Sequence, residues 1–416
     1  MERIKTLIAT RFPALTHRNF RLFWTGQCIS LVGTWMQNIG QAWLVLKITD
    51  SSFKLGLVNA LQFTPVLLFS LFAGVFIDRF EKKKIIIFTQ TSLMVMAFML
   101  ATLTATGLVR YWHIAIMATI LGFINSLDMP ARQSFVVDLV GKDHLMNGIT
   151  LNSAVFNAAR LVGPAVAGFI MGQFGIAVCF FLNALSFIAV LNGLFKIRVE
   201  PKSKNHINAA EPIIDKIKEG LNYIKKTPTV RITVSLVALV SIFTLNFNVT
   251  VPVLARKVFS LSEQGFGLMM SSLGVGALAG SLLLSATIHR PSPVILIASA
   301  FCLSAAEIIL STLQSPWAAM LCLVFIGGMM VTFTASANST IQFNVPDHLR
   351  GRVMSVYALV FAGMTPLGSL FTGYISSNLG GRASFAIGGF LGCVFAACAL
   401  FLMKNVMTLS RHTKTC

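Results

Sequence analysis

The sequence predicts an all-α integral-membrane protein, with twelve transmembrane helices in two pseudo-symmetric six-helix bundles. Three observations carry that prediction. The 416 residues are 55% hydrophobic and 11% charged, with a mean hydropathy of +0.77, whereas a soluble domain carries about 25% charged residues. Apolar runs of the ~20 residues that cross a bilayer recur between polar breaks along the whole chain. Of the 33 Lys and Arg, 26 fall in alternate connections, the bias that marks cytoplasmic loops. A net charge of +19 would suggest nucleic acid in a soluble protein. Here the basic loops are explained by the lipid bilayer, and no nucleic-acid partner is expected.

Taken in order, the spans lie near 20–46, 55–77, 85–106, 112–136, 147–172 and 176–195, then 230–254, 265–288, 293–313, 317–342, 352–377 and 382–404. This divides the chain into an N-terminal bundle (1–195), a cytoplasmic linker (196–229), a C-terminal bundle (230–404) and a tail (405–416), with both termini cytoplasmic. The basic start, Met1 to Arg21, lacks the short apolar stretch and small-residue cleavage site of a secretory signal. Within the linker, Ile213, Ile214, Ile217, Leu221 and Ile224 share a helical face opposite Lys216, Lys218, Lys225 and Lys226. That pattern predicts a short helix lying on the inner membrane surface. The halves echo one another: Val140-Gly-Lys-Asp-His-Leu145 precedes the fifth span and Val345-Pro-Asp-His-Leu349 the eleventh. Duplicated six-helix units are typical of secondary transporters, whose substrate site lies where the repeats meet.

A polar side chain is expensive in lipid, so polar stripes should face water or protein. In the first span Gln27, Ser30, Thr34, Gln37 or Asn38, and Gln41 recur at helical spacing. In the fifth, Ser153, Asn157 and Arg160 do so. Asn59 and Gln62 in the second span, Ser241, Thr244 and Asn248 in the seventh, and Thr334 and Asn338 in the tenth add further polar positions. The stripe on the first span is read as cavity lining, and Phe63, Phe156, Phe247 and Phe361 as candidate pocket walls. Arg160 lies about thirteen residues into its span, where a central arginine costs ~2.5–3.5 kcal/mol even on low estimates. No acid lies at that depth in the first six spans, and a guanidinium fork suits carboxylates and phosphates. An anionic group of the substrate is therefore its expected partner, with a structural role as the alternative. Glu307 lies about 9 Å from the outer end of the ninth span, close enough to reach the interface. Seven Cys and seven His make no metal-ligand spacing, and no metal or cofactor is expected.

Between the second and third spans stands Gly74-Val-Phe-Ile-Asp78-Arg79-Phe-Glu-Lys82-Lys83-Lys84. It resembles the signature of the major facilitator superfamily. Arg160-Leu-Val-Gly163-Pro164-Ala-Val-Ala-Gly168 resembles part of that superfamily's antiporter motif. Asp128-Met-Pro130-Ala-Arg132-Gln133, Leu151-Asn152-Ser153 and Gly33-Thr-Trp35-Met-Gln37 resemble the exporter branch that includes the enterobactin exporter. The stretch from His113 to Leu127 lacks the mid-helix arginine of the drug antiporters. The resemblance implies the major facilitator fold and a gate at the inner face. Gly74, Asp78 and Arg79 form its latch, with Asp78 against the start of the eleventh span near Gly351-Arg352 and Arg79 facing Asp128. Lys82 to Lys84 are read as a solvated basic turn. Asp128, Arg132 and Glu307 complete the gating and coupling set. The expected substrate-binding set is Arg160, Asn157, Ser153, Gln37, Asn38, Gln41, Thr34, Gln62, Asn248 and Asn338.

The expected protein is thus a multi-pass secondary transporter of the bacterial inner membrane, monomeric and without cofactor, working by alternating access. It exports small amphiphilic, anionic molecules of the siderophore or drug class, with proton antiport as the candidate coupling. A lysophospholipid flippase of the same fold is the alternative. An integral-membrane enzyme is the remote one, since no acids, His or Ser cluster at one depth. A nucleotide-driven pump would need a GxxxxGK[ST] loop, which does not occur.

Overall fold

In the computed structural model, residues 12–198, 213–287 and 292–412 are described. The rest, including much of the expected linker and the last residues of the tail, lies outside them. The described residues form helices without a strand. A 3-10 turn at Pro13–Thr16 leads into α1 (Arg18–Thr49), α2 (Ser52–Arg79), α3 (Lys82–Ala105), α4 (Tyr111–Val140), α5 (Leu145–Phe174) and α6 (Ile176–Lys196). There follow α7 (Ile213–Lys226), α8 (Pro228–Phe243), α9 (Phe247–Val253, continued by a π turn at Leu254–Val258), α10 (Glu263–Thr287), α11 (Pro293–Thr312), α12 (Pro316–Phe343), α13 (Asp347–Asn378) and α14 (Gly381–His412). Among the described residues eleven stretches are long and apolar enough to cross a membrane, with Pro228–Val258 counted as one. The exception among the expected twelve is α1, whose glutamines and asparagine dilute its apolar residues.

The chain forms two compact units. One comprises Met1–Thr49, Thr64–His206 and Glu263–Ser271, the other Asp50–Phe63, Ile207–Ser262 and Ser272–Cys416. Short pieces of α2 and α10 therefore pack with the other half's helices.

In the first unit α1 packs against α6 through glycines. A Cβ on Gly26 would strike the backbone at Val190, and one on Gly193 the Leu22 carbonyl. Small residues at such crossings let backbones approach where lipid offers no hydrophobic drive. Phe20, Phe23, Ile86, Phe135, Val190 and Leu194 fill the core at that end. Lys82 pairs with Asp138 at 2.8 Å and Lys83 donates to the Ile197 carbonyl at 2.7 Å. Only Lys84, with its exposed side chain, fits a solvated turn, which corrects the reading of all three lysines.

In the second unit, Gly276 and Gly280 of α10 press on Val324 and Gly328 of α12. The surface helix α7 rests on the start of α13. Gly220 approaches the Arg352 carbonyl, Glu219 pairs with Arg352, Tyr223 donates to the Asn344 carbonyl at 2.8 Å, and Ile224 is buried. Its apolar face is thus partly spent on protein, while Leu221 stays 40% exposed. Two further expectations are corrected. α13 begins at Asp347, so Gly351-Arg352 lies a turn inside the helix. Pro346 and Asp347 supply the fixed φ and negative charge that favour a helix start. The seventh span is not continuous but breaks at Thr244–Asn246.

Candidate functional site

The polar stripe of α1 divides into two sets. Gln27, Ser30, Gln37 and Gln41 are buried, whereas Thr34 and Asn38 are partly exposed. Gln37 accepts a hydrogen bond from Asn183 Nδ2 at 2.6 Å, and Gly33 leaves room for Asn183 and Ser186. Four of the six residues expected to line a cavity are therefore buried in a polar seam between α1 and its neighbours. On α5, Ser153 is exposed, and Asn157 and Arg160 are partly exposed. Asn157 Nδ2 donates to the Ser153 carbonyl at 2.9 Å. Trp35 of α1 meets Phe156 of α5 edge-on at 5.8 Å and covers Gly163. The Trp35 contact thus sets these two polar rows side by side. Phe247, expected as a pocket wall, is 4% exposed and belongs to the core.

At the other end of the first unit the Asp128 motif forms a buried network. Asp128, 2% exposed, accepts hydrogen bonds from Thr89 Oγ1 at 2.5 Å and Gln90 Nε2 at 3.0 Å. Its second oxygen pairs with Arg132 Nε at 2.5 Å, and Arg132 donates to Gln27 Oε1 at 2.5 Å. The carboxylate ties α3 to α4, and Arg132 extends the network to Gln27 of α1. Among the described residues the partners of Asp128 are Thr89, Gln90 and Arg132, while Arg79, expected to face it, lies with its side chain outside them. The side chains of Gly74, Asp78 and Arg79 lie outside the described residues.

In the second unit, Asn59 donates to Ser369 Oγ at 2.9 Å, and Gln62 beside it is partly buried. Asn338 accepts from Gln342, and Asn248 is exposed. Ser241 and Thr244 are buried. The break in the seventh span thus separates them from Asn248 and dissolves the expected stripe. Glu307 does not reach an interface: it is 2% exposed, inside the protein.

Three clusters were not anticipated. Trp43 Nε1 donates to Glu263 Oε1 at 3.0 Å, Lys47 lies 3.8 Å from the same oxygen, and Trp43 stacks on Phe266 at 5.1 Å. Asp50, at a positive φ of 45°, accepts Lys257 at its carbonyl at 2.6 Å, with Arg256 and Lys257 3.9 Å from its carboxylate. His17 Nε2 and His144 Nδ1 share a hydrogen bond of 2.8 Å. The available signal was scarcity: with 14 acids in 416 residues, each one invites a partner.

Residues 9–414 match the model of a family described as transmembrane secretion effectors, a branch of the major facilitator superfamily. The chain belongs to that family. This transmembrane secretion effector is 27% identical to the staphyloferrin A transporter of Staphylococcus aureus over 374 residues, 89% of this chain and 92% of that one. It is 25% identical to the multidrug efflux pump Tap of Mycolicibacterium fortuitum, over 82% of this chain and 85% of that one. Its fold is similar to that of a D-xylose-proton symporter, with a TM-score of 0.73 at 15% identity, covering 92% and 96% of the two chains. The secretion effector is a multi-pass membrane transporter of small molecules and not an enzyme.

Proposed function

We propose that this transmembrane secretion effector exports small amphiphilic anions of the siderophore or drug class across the bacterial inner membrane. It works by alternating access, with both termini cytoplasmic. The observation that carries the reading is the partly exposed row Ser153, Asn157 and Arg160 on α5, beside Thr34 and Asn38 of α1. A guanidinium there offers a fork to a carboxylate or phosphate, while Trp35 and Phe156 give apolar surface. Kinship with the staphyloferrin A transporter and a multidrug pump supports export of such molecules. Gln62, Asn248 and Asn338 are the second unit's contributors to binding. Gly74, Asp78 and Arg79 form the inner gate, with Asp128 and Arg132 bracing it. A proton is the candidate coupling ion.

The test is transport in proteoliposomes with matched anionic, neutral and cationic substrates. Charge-assisted hydrogen bonds are worth about 1.5–3 kcal/mol, so Arg160→Gln should weaken anionic substrates about 10- to 100-fold and neutral ones little. Arg160→Lys should recover part of the loss, because it keeps the charge without the fork. Equal losses for all three charges, in a correctly folded protein, would refute the reading. Movement of headgroup-labelled lysolipid without dye or siderophore transport would replace export with flipping.

A further inference from the structure

The break between α8 and α9 has a second use. Thr244 N and Leu245 N both return to the Val240 carbonyl, at 2.9 and 3.0 Å, and Asn246 N turns back to the Thr244 carbonyl at 2.8 Å. The helical ladder stops there, which leaves the carbonyl end of α8 pointing along the break. The Thr244 hydroxyl is 2% exposed and has no hydrogen-bond partner.

Glu307 of α11 meets the same stretch of α14 as Phe243 does. It is 2% exposed, and among the described residues no hydrogen bond or ion pair reaches its carboxylate. The ionisable groups near it are the thiols of Cys322 and Cys393. Arg382, at the start of α14, is spent on the Ser311 carbonyl at 3.3 Å. The glycines of α14 show how closely the oxygens gather. A Cβ on Gly388 would meet both the Phe243 carbonyl and Glu307 Oε2. A Cβ on Gly392, one helical turn on, would meet both Ser304 Oγ and Thr244 Oγ1. Glycine at both positions keeps that space for oxygen atoms.

A buried carboxylate without a counter-charge costs several kcal/mol. Carboxylate, hydroxyl and helix-end carbonyl are hard oxygen donors, and in transporters with broken helices the unwound carbonyls and half-helix C-terminal ends coordinate Na+. One negative charge balances one positive charge, which selects a monovalent cation over Ca2+ or Mg2+. We propose that Glu307, Thr244 and the Phe243 carbonyl form a binding site for a small monovalent cation of the Na+ class, with Ser304 at its edge. The site deepens the transport reading by putting Na+ in place of the proton as its coupling ion. Only its role in coupling rests on that reading, not the binding itself.

The experiment is 22Na+ binding to the purified full chain in nanodiscs, with choline chloride holding ionic strength constant. Saturable binding is expected. Glu307→Gln should weaken it at least about tenfold, and Thr244→Val should weaken it less. Arg160→Gln should leave it unchanged, which separates failure of this site from failure of the anion reading. Monodisperse size exclusion and unchanged helicity check that each variant folds. No saturable binding by the wild-type chain would overturn the proposal, as would full binding by Glu307→Gln. Stability that follows pH and ignores Na+ would also overturn it and assign the carboxyl a proton.

Discussion

The Asp128 network makes the most exacting prediction about the first unit. Removing one partner of a buried ion pair costs about 3–5 kcal/mol, because the other charge is left uncompensated. Here the Arg132 side chain keeps 21% of its exposure and can partly rehydrate. The hydrogen bonds from Thr89 and Gln90 also survive in part when Asp128 becomes Asn. Interhelical hydrogen bonds in membranes average only ~0.6 kcal/mol, so the expected loss for Asp128→Asn is about 2–3 kcal/mol, most of it from the stranded Arg132. The double variant Asp128→Asn/Arg132→Gln carries no stranded charge. It should be more stable than the sum of the single losses implies, by about 1.5 kcal/mol of coupling energy. The assay is reversible unfolding in mixed micelles, titrated with SDS and followed by circular dichroism, for the wild type, both single variants and the double. Additivity within about 0.5 kcal/mol would refute the network as an energetic unit and reduce its short distances to incidental neighbours.

Three further outcomes are expected. Asp78→Asn should leave folding intact and increase maleimide labelling of a cysteine placed on the inner face, whereas unchanged labelling with normal transport removes the latch. Glu263→Gln keeps an acceptor for Trp43 Nε1 and loses only an ion pair whose lysine side chain is 56% exposed, so thermal unfolding should shift by less than about 1 kcal/mol. Gly276→Val forces a side chain into the backbone at Val324 and should cost about 1–3 kcal/mol or more, read as loss of monodisperse protein in size exclusion.

The elements that were legible in the sequence are those set by local pattern. Apolar run length fixes a span, and so eleven of the twelve expected spans appear as single helices covering most of the expected range. What was not legible depends on which neighbour a face meets. Gln37 and Asn38 are adjacent in sequence, yet one is bonded to Asn183 and the other partly exposed. Nothing in α1 alone states that α6 supplies an amide at that height. The break in the seventh span was missed because hydrophobicity runs straight across it without Gly or Pro at the break. Its signal was Asn246, whose side chain donates to the Ile242 carbonyl at 2.7 Å. Asparagine competes with the helical ladder for backbone groups in this way.

The two buried acids among the described residues set the limit of such reading. From sequence, Asp128 and Glu307 look alike: each is a rare carboxylate in an apolar run, and each qualifies as a coupling residue. In the fold, Asp128 has an arginine one turn away on its own helix and two donors on α3. Its charge is therefore compensated by the protein itself, and its natural role is to brace helices. Glu307 has Ser304 and Ser311 on its own helical face and glycines opposite, so the protein supplies oxygen atoms but no cation. A carboxylate that the fold satisfies holds structure together. One that the fold surrounds with further acceptors requires a positive charge from outside the chain, and that difference places ion binding at Glu307 rather than at Asp128.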